Sequence, residues 1–139
     1  MNGPEVPDFP GRPSEIPHTV PLVTLAERYS AHRWPLLRAS AGVGSLSPAE
    51  LAAHTLAALA FQAALADRAQ AGRWVTARDA LAAGADLAAV AAAMDLDVDA
   101  VAVGLREWAD GQRAYGWMSD AEHKRVTALA TRVVCDDEE

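Results

Sequence analysis

The chain has 139 residues, of which 51% are hydrophobic and 22% charged, and its formal net charge at pH 7 is −7. This length fits one domain with a real core and is too short for two domains of ordinary size. The net negative charge argues against a surface that attracts nucleic acid or an anionic membrane as a whole, because the long-range field repels both. No basic segment followed by an apolar one opens the chain, and no run of about eighteen apolar residues occurs in it, so we expect a cytoplasmic protein without a membrane span.

The composition favours helices throughout. Alanine supplies much of the hydrophobic content, and it stabilises helices and lets them pack closely. No window alternates apolar and polar residues as a half-buried strand would, so the sequence predicts an all-α fold without a sheet. Cys135 is the one cysteine, which excludes a disulfide within the chain and a cluster of thiolate metal ligands.

Both ends of the chain are predicted to lie outside the folded domain. Prolines recur at every third position near the start, which is the polyproline II period: Pro4, Pro7, Pro10 and Pro13. Residues 1–18 hold few bulky apolar groups, so we predict a disordered Pro-rich tail, although the same period occurs in ligands of aromatic-lined grooves. Residues 135–139 are predicted to be a frayed acidic tail. We therefore predict that the folded part of the chain is a single helical domain over residues 19–134.

The first helix is predicted to begin between Thr19 and Thr24, where Thr24 and Glu27 have the spacing of a capping box. Pro35 should make this helix bend or restart, because proline lacks the backbone N–H that a helix needs. Two glycines are expected to end it, namely Gly42 and Gly44.

The second helix has the clearest start in the chain. Ser47 stands at the N-cap, Pro48 at the first helical position, and Glu50 where its side chain reaches back to the cap. The alanine-rich stretch that follows should be the central helix, running to about residue 71 and stopping at Gly72. Five or six helices are predicted in all, because further caps stand at Thr76, Asp86 and Ser119.

Residues 86–105 read DLAAVAAAMDLDVDAVAVGL and carry the most informative pattern. Ala91 is a small residue where two helices joined by a tight turn would approach. Apolar residues occupy the positions that would face inward: Val90, Met94, Leu96, Val101 and Leu105. Asp97 is placed to cap the second helix, and Leu81 would add an apolar contact from a preceding helix. On these residues the segment resembles the helix-turn-helix superfamily of DNA-binding proteins, which implies a trihelical unit over residues 77–109.

The resemblance implies that the second helix of the motif reads the major groove of DNA. The sequence departs from the superfamily pattern in two ways. Asp95 stands where glycine usually occupies the turn, which aspartate tolerates better than most residues. Base readout generally uses basic, amide or hydroxyl side chains, whereas the outward positions here are Asp97, Val98, Asp99, Ala102, Val103 and Arg106.

Two functions remain open. In the first, the chain is a DNA-binding transcriptional regulator or accessory factor, and arginines contact the phosphates of double-stranded DNA: Arg73, Arg78, Arg106 and Arg113. In the second, a helix-turn-helix-shaped module binds a protein partner without DNA, through an apolar patch: Val98, Ala102 and Val103. A homodimer is compatible with both, since half-site readers commonly pair. We favour DNA binding, because the inward pattern is regular and the superfamily most often uses this shape on DNA.

No other constellation predicts chemistry. Asp95, Asp97 and Asp99 alternate as calcium-loop ligands do, but Ala100 and Arg106 replace the glycine and the glutamate of such a loop. The histidines are too dispersed for a metal site and are expected to be solvated: His18, His32, His54 and His123. No phosphate loop, activated nucleophile or carboxylate pair can be placed, so we expect neither catalysis nor a cofactor nor a bound metal.

Overall fold

The computed structural model describes residues 5–131, over which it contains five α-helices, one short 3-10 helix and no strand. The α-helices are α1 (Leu22–Ser40), α2 (Pro48–Ala82), α3 (Leu87–Met94), α4 (Val98–Ala114) and α5 (Asp120–Ala130). The predicted all-α fold is confirmed. The predicted acidic tail, residues 135–139, lies outside the described residues, as do residues 1–4 of the predicted disordered tail.

The contacts divide the chain into two compact units, Met1–Ala71 and Gly72–Glu139, where the sequence predicted one domain over residues 19–134. We call them the N-terminal unit and the C-terminal unit. The division falls inside α2, because this helix does not stop at Gly72 but continues to Ala82. A glycine inside a helix costs about 1 kcal/mol relative to alanine, and good helix formers on both sides of Gly72 outweigh that cost.

Hydrogen bonds at three helix starts confirm the predicted caps. The backbone N–H of Glu50 donates to Ser47 Oγ at 3.1 Å, and the N–H of Ser47 donates back to Glu50 Oε1 at 3.3 Å. Asp86 Oδ1 accepts from the third residue of α3 at 2.7 Å. Ser119 Oγ accepts from the N–H of Glu122 at 3.1 Å. Side-chain caps are therefore the most readable helix signal in this sequence.

Predicted caps at two other points along the helices are wrong, and of the two outcomes predicted at Pro35 the restart does not occur. α1 begins at Leu22, directly after Pro21, with no side-chain cap, so Thr24 and Glu27 lie inside the helix and do not form a capping box. Pro35 also lies inside α1, which neither ends nor restarts there. Thr76, a predicted cap, lies inside α2 and points its hydroxyl back to the carbonyl of Gly72 at 3.5 Å.

Residues 5–20 pack on α1 and α2 within the N-terminal unit, and we call them the N-terminal strap. Ile16 is 1% exposed and Val20 is 6% exposed. The other buried members of their apolar cluster are Leu25 of α1 and Phe61 and Ala64 of α2. The prediction of a disordered tail therefore does not hold for residues 5–18.

Arg68 of α2 binds the backbone of the strap. Its guanidinium donates to the carbonyl oxygen of Ile16 at 2.7 Å and to that of Pro17 at 2.9 Å. Proline richness favours this order, because each ring fixes φ and so lowers the entropy lost when the segment is placed. Two bulky apolar residues between the prolines, Ile16 and Val20, supply the buried contacts of the strap.

α2 is also the one helix in the described part of the chain whose length and composition would allow it to cross a membrane. The mean hydropathy of its most apolar window is 1.3, and 28% of that window is buried. Alanine-rich core helices of water-soluble proteins meet the same criterion, so this finding weighs little by itself.

The core of the C-terminal unit takes residues from the end of α2 and from α3, α4 and α5. Its buried members are Ala77, Leu81, Leu87, Val90, Ala91, Val101, Leu105, Ala109, Val126 and Ala130. Trp74, Met94 and Trp108 pack against it from half-buried positions. This core positions α4 and therefore decides which of its residues face solvent.

Ile16→Ala should lower the free energy of unfolding by about 2–5 kcal/mol, the usual range for truncation of a large core side chain. His18→Ala is the matched control, because His18 lies on the same strap and is exposed. Urea unfolding followed by circular dichroism measures both. An unchanged midpoint for Ile16→Ala would mean that the strap adds nothing to stability.

Leu105→Ala and Leu96→Ala form a second matched pair, because Leu105 is 0% exposed and Leu96 is 40% exposed. We expect Leu105→Ala to cost about 2–5 kcal/mol, and Leu96→Ala clearly less. Equal losses for the two variants would contradict the burial of Leu105 and the exposure of Leu96.

Candidate functional site

A three-residue turn joins α3 to α4 in the C-terminal unit. Asp95 ends α3 in the left-handed region, with φ 56° and ψ 43°. This is the position where the helix-turn-helix pattern usually has glycine, and aspartate is one of the few other residues that adopt this conformation readily. The N–H of Leu96 donates to the carbonyl of Ala91 at 3.0 Å, which closes the turn. Asp97 occupies the N-cap of α4 as predicted, but its side chain makes no capping bond.

Most of the predicted inward positions are buried. Val90 and Ala91 of α3 are 4% and 3% exposed, and Val101 and Leu105 of α4 are both 0% exposed. Leu81 at the end of α2 is buried with them, whereas Met94 is only half-buried. The prediction is wrong for Leu96, which lies in the turn rather than in a helix, so its direction does not follow the helical period.

The outward positions of α4 form a mixed apolar and charged face. Val98 is 42% exposed and Val103 is 46% exposed, while Asp99 and Arg106 are exposed beside them. We call Leu96, Asp99, Val103 and Arg106 the α4 surface. Val98, although exposed, lies on a different side of α4, in line with Ala102 and Leu105, so the predicted patch of Val98, Ala102 and Val103 is not one face. The leading end of this surface carries carboxylates, since Asp97 is exposed as well.

Ala102 was predicted to belong to the partner-binding patch, and it does not. It is 8% exposed. Ala102, Leu105 and Ala109 are spaced three and four residues apart, so they lie along one side of α4 and face the core together. That spacing was available in the sequence and would have placed Ala102 inside.

Two of the arginines predicted to contact DNA lie against tryptophans. The Arg73 guanidinium stacks 5.0 Å from the centre of the Trp74 ring, and its Nε is buried with no hydrogen-bond partner in residues 5–131. The Arg78 guanidinium lies 5.6 Å from the Trp108 ring and pairs with Asp79 at 3.0 Å. Contact with a phosphate would have to compete with these interactions.

The other two arginines make contacts along α4 and α5. Arg106 Nε donates to the carbonyl of Ala102 at 3.2 Å, one turn back on α4, while its residue as a whole stays exposed. Arg113 Nη1 lies 3.3 Å from His123 Nδ1. Arg106 is therefore the one predicted DNA contact that belongs to the α4 surface.

A groove of ≈ 640 Å³ lies beside the α4 surface. Trp74 and Trp108 supply apolar walls, Glu107 adds a carboxylate, and Leu96 and Val103 border both the groove and the α4 surface. Gly104 allows α4 to approach Trp74, because a Cβ at this position would overlap the Cη2 and Cζ2 atoms of the ring. The groove therefore depends on the absence of a side chain at one helical position.

His123 is a buried polar residue that links α5 to α4. It is 9% exposed, and its Nε2 lies 2.6 Å from Asp110 Oδ1. The prediction that the histidines are solvated is wrong for His123 and also for His32, which is 8% exposed. Residues 5–131 contain no group of three or more histidine, cysteine, aspartate or glutamate side chains placed to hold a metal ion.

A second polar cluster lies in the N-terminal unit. His32 of α1 and His54 of α2 face each other with their Nδ1 atoms 3.0 Å apart. The other nitrogen of His32, Nε2, lies 2.6 Å from the carbonyl oxygen of Asp8 in the strap. The His32 ring stacks on Phe61 at 5.8 Å between centroids and meets Phe9 of the strap edge-on at 4.8 Å. Sequence spacing gave no sign of this cluster, because its members come from three separate segments.

Comparison of this chain with protein-family models, with curated proteins and with solved structures found no match.

Gly104→Ala and Gly111→Ala test the close approach of α4 to Trp74, because both glycines lie in α4 and a Cβ at Gly111 would meet nothing within 4 Å. Gly111→Ala should stabilise by up to about 1 kcal/mol through helix propensity. Gly104→Ala should destabilise, since the gain in propensity is smaller than the cost of displacing Trp74. Thermal unfolding of the two variants measures the difference, and a stabilising Gly104→Ala would contradict the packing.

Proposed function

We propose that this chain is a protein-interaction module that pairs with a second copy of itself through the α4 surface. The α3–α4 pair then acts as a helix-turn-helix-shaped scaffold that presents α4 without reading DNA. The observation that carries the proposal is the composition of this surface. Val103 at its centre is apolar, with Asp99 about one turn before it and Arg106 about one turn after it; the neighbouring carboxylates are Asp97 at the leading end and Glu107 beside Arg106.

The spacing of the two charges favours a second copy as the partner. Asp99 and Arg106 are seven residues apart, which is about two helical turns or about 10 Å along the axis, and Val103 lies between them. When two α4 helices cross antiparallel near Val103, Asp99 of each copy faces Arg106 of the other. A twofold interface requires this kind of self-complementary pattern.

The energetics indicate a weak and reversible dimer. A single pair of helix faces buries less than the roughly 1,200–2,000 Å² of a standard stable interface. The apolar contacts of Leu96 and Val103, which border the same groove, supply the attraction. The exposed ion pairs add little affinity and instead fix the orientation of the two helices.

DNA binding, the alternative, is less well supported by the residues on this face. Base readout needs donors and acceptors that reach the edges of the bases, and on the α4 surface Arg106 alone is basic. Asp97 and Asp99 would face phosphates and repel them. Pairing through the α4 surface would cover the helix that DNA readout requires, so the two functions exclude each other and one experiment can separate them.

The first variants test whether the apolar centre drives association. Sedimentation velocity over a range of concentrations should show a reversible monomer–dimer equilibrium for the wild-type chain. Val103→Asp should abolish the dimer, because the new carboxylate would be buried against the partner. Val75→Asp is the matched control, since Val75 is 39% exposed and lies on α2 rather than on the α4 surface; it should leave the dimer unchanged.

Charge exchange then tests the antiparallel arrangement. Asp99→Arg and Arg106→Asp should each weaken the homodimer, because each creates two pairs of like charges across the twofold axis. An equimolar mixture of the two variants should form a heterodimer. In that heterodimer the introduced arginine of one chain faces the introduced aspartate of the other, and the two unchanged side chains also form a pair of opposite charges. A chain that carries both substitutions should dimerise like the wild type.

A monomeric wild-type chain at the highest soluble concentration would overturn the proposal. DNA binding would replace it if the same protein bound duplex DNA with a log–log salt slope near −0.9 per phosphate contact and lost affinity on Arg106→Ala.

A further inference from the structure

A second groove of the C-terminal unit lies between the end of α2 and α3, and its walls are almost wholly apolar. Its volume is ≈ 480 Å³, within the range of pockets that hold small molecules. Ala77 and Ala80 line it from α2, and Val90, Ala93 and Met94 line it from α3. The space between the two helices is open because most of these side chains are the single methyl groups of alanine.

Arg73 is the one charged residue that lines this groove in the described part of the chain. It lies seven residues before Ala80 on the same helix, so the two are roughly 10 Å apart along the axis. Arg73 forms no ion pair within residues 5–131, and its buried Nε has no hydrogen-bond partner there. An apolar groove with one uncompensated cation at its end is complementary to an apolar chain with one anionic group.

The contact of Arg73 with Trp74 leaves the guanidinium able to bind an anion. The guanidinium lies over the face of the Trp74 ring, 5.0 Å from its centre. Its N–H groups lie in its own plane and point outward, in a fork that matches the two oxygens of a carboxylate. Stacking therefore occupies a face of Arg73 and not the edge that a carboxylate would use.

We propose that this groove binds a free medium-chain fatty acid of about eight carbons, a length that matches the roughly 10 Å between Arg73 and Ala80. The carboxylate pairs with Arg73, and the alkyl chain lies between α2 and α3. Thr76 adds the one uncharged polar side chain of the lining, and its hydroxyl already points to the carbonyl of Gly72. The site is independent of the proposed pairing, since none of its residues belongs to the α4 surface.

Isothermal titration calorimetry of the full chain with octanoate tests the site. Octanoate should bind. 1-Octanol has the same chain without the charge, so it should bind at least about tenfold more weakly. Hexanoate keeps the charge and loses two CH₂ groups, so its affinity should fall by roughly threefold for each group removed.

Arg73→Gln and Arg125→Gln are matched variants, because each removes one positive charge from the C-terminal unit and Arg125 lies on α5 outside the groove. Arg73→Gln should weaken octanoate binding by at least about tenfold, since the carboxylate loses its charged partner. Arg125→Gln should leave the affinity unchanged.

Ala93→Leu and Ala92→Leu test where the alkyl chain lies. Both alanines are exposed on α3, and of the two only Ala93 lines the groove. A leucine at position 93 takes space from the chain and should weaken octanoate binding, whereas a leucine at position 92 should not. Neither change touches the core, so this pair decides the matter even if Arg73→Gln destabilises the unit.

Three results would overturn the proposal: no binding of octanoate, binding of 1-octanol as tight as that of octanoate, or equal effects of the two leucine variants. Binding to anionic phospholipid vesicles without binding to octanoate would also overturn it, in favour of a membrane surface.

Discussion

The left-handed backbone at Asp95 is the constraint on which the C-terminal unit depends. It ends α3 and reverses the chain within three residues, so that α4 packs along α3 with Val101 and Leu105 turned inward. Because α4 is a regular helix, the inward orientation of those two side chains determines the direction in which every other side chain of α4 points. Val98, Val103 and Arg106 face solvent as a consequence of the turn.

The sequence predicted the parts of the fold that depend on short-range chemistry. Caps at Ser47, Asp86 and Ser119 were readable because a hydroxyl or carboxylate three residues before an N–H has one obvious partner. The inward set of α3 and α4 was readable because burial follows the helical period. The end of α2 was not readable, because a glycine at position 72 costs little compared with the stability of the flanking helix. Tertiary packing decides whether the helix continues past it.

The candidate site could be predicted only in part, for a related reason. Periodicity assigns a residue to one side of a helix, but it fails where the backbone leaves the helix. Leu96 lies in the turn and faces solvent. The burial of Ala102, by contrast, follows the helical period that it shares with Leu105 and Ala109, so it could have been predicted. The partners of Arg73 and Arg78 were equally hidden, because stacking on Trp74 and Trp108 depends on how side chains pack and not on any spacing rule.

The bonds from Arg68 to the strap have a consequence for the entropy cost of folding. They join residues 51 and 52 positions apart along the chain, and closing a loop of that size is entropically costly before any contact can offset it. Contacts within α1 and α2 are local, whereas docking of the strap has to bring together residues far apart in the sequence. The placement of the strap is therefore the step in the N-terminal unit that carries the entropy cost of closing a long loop.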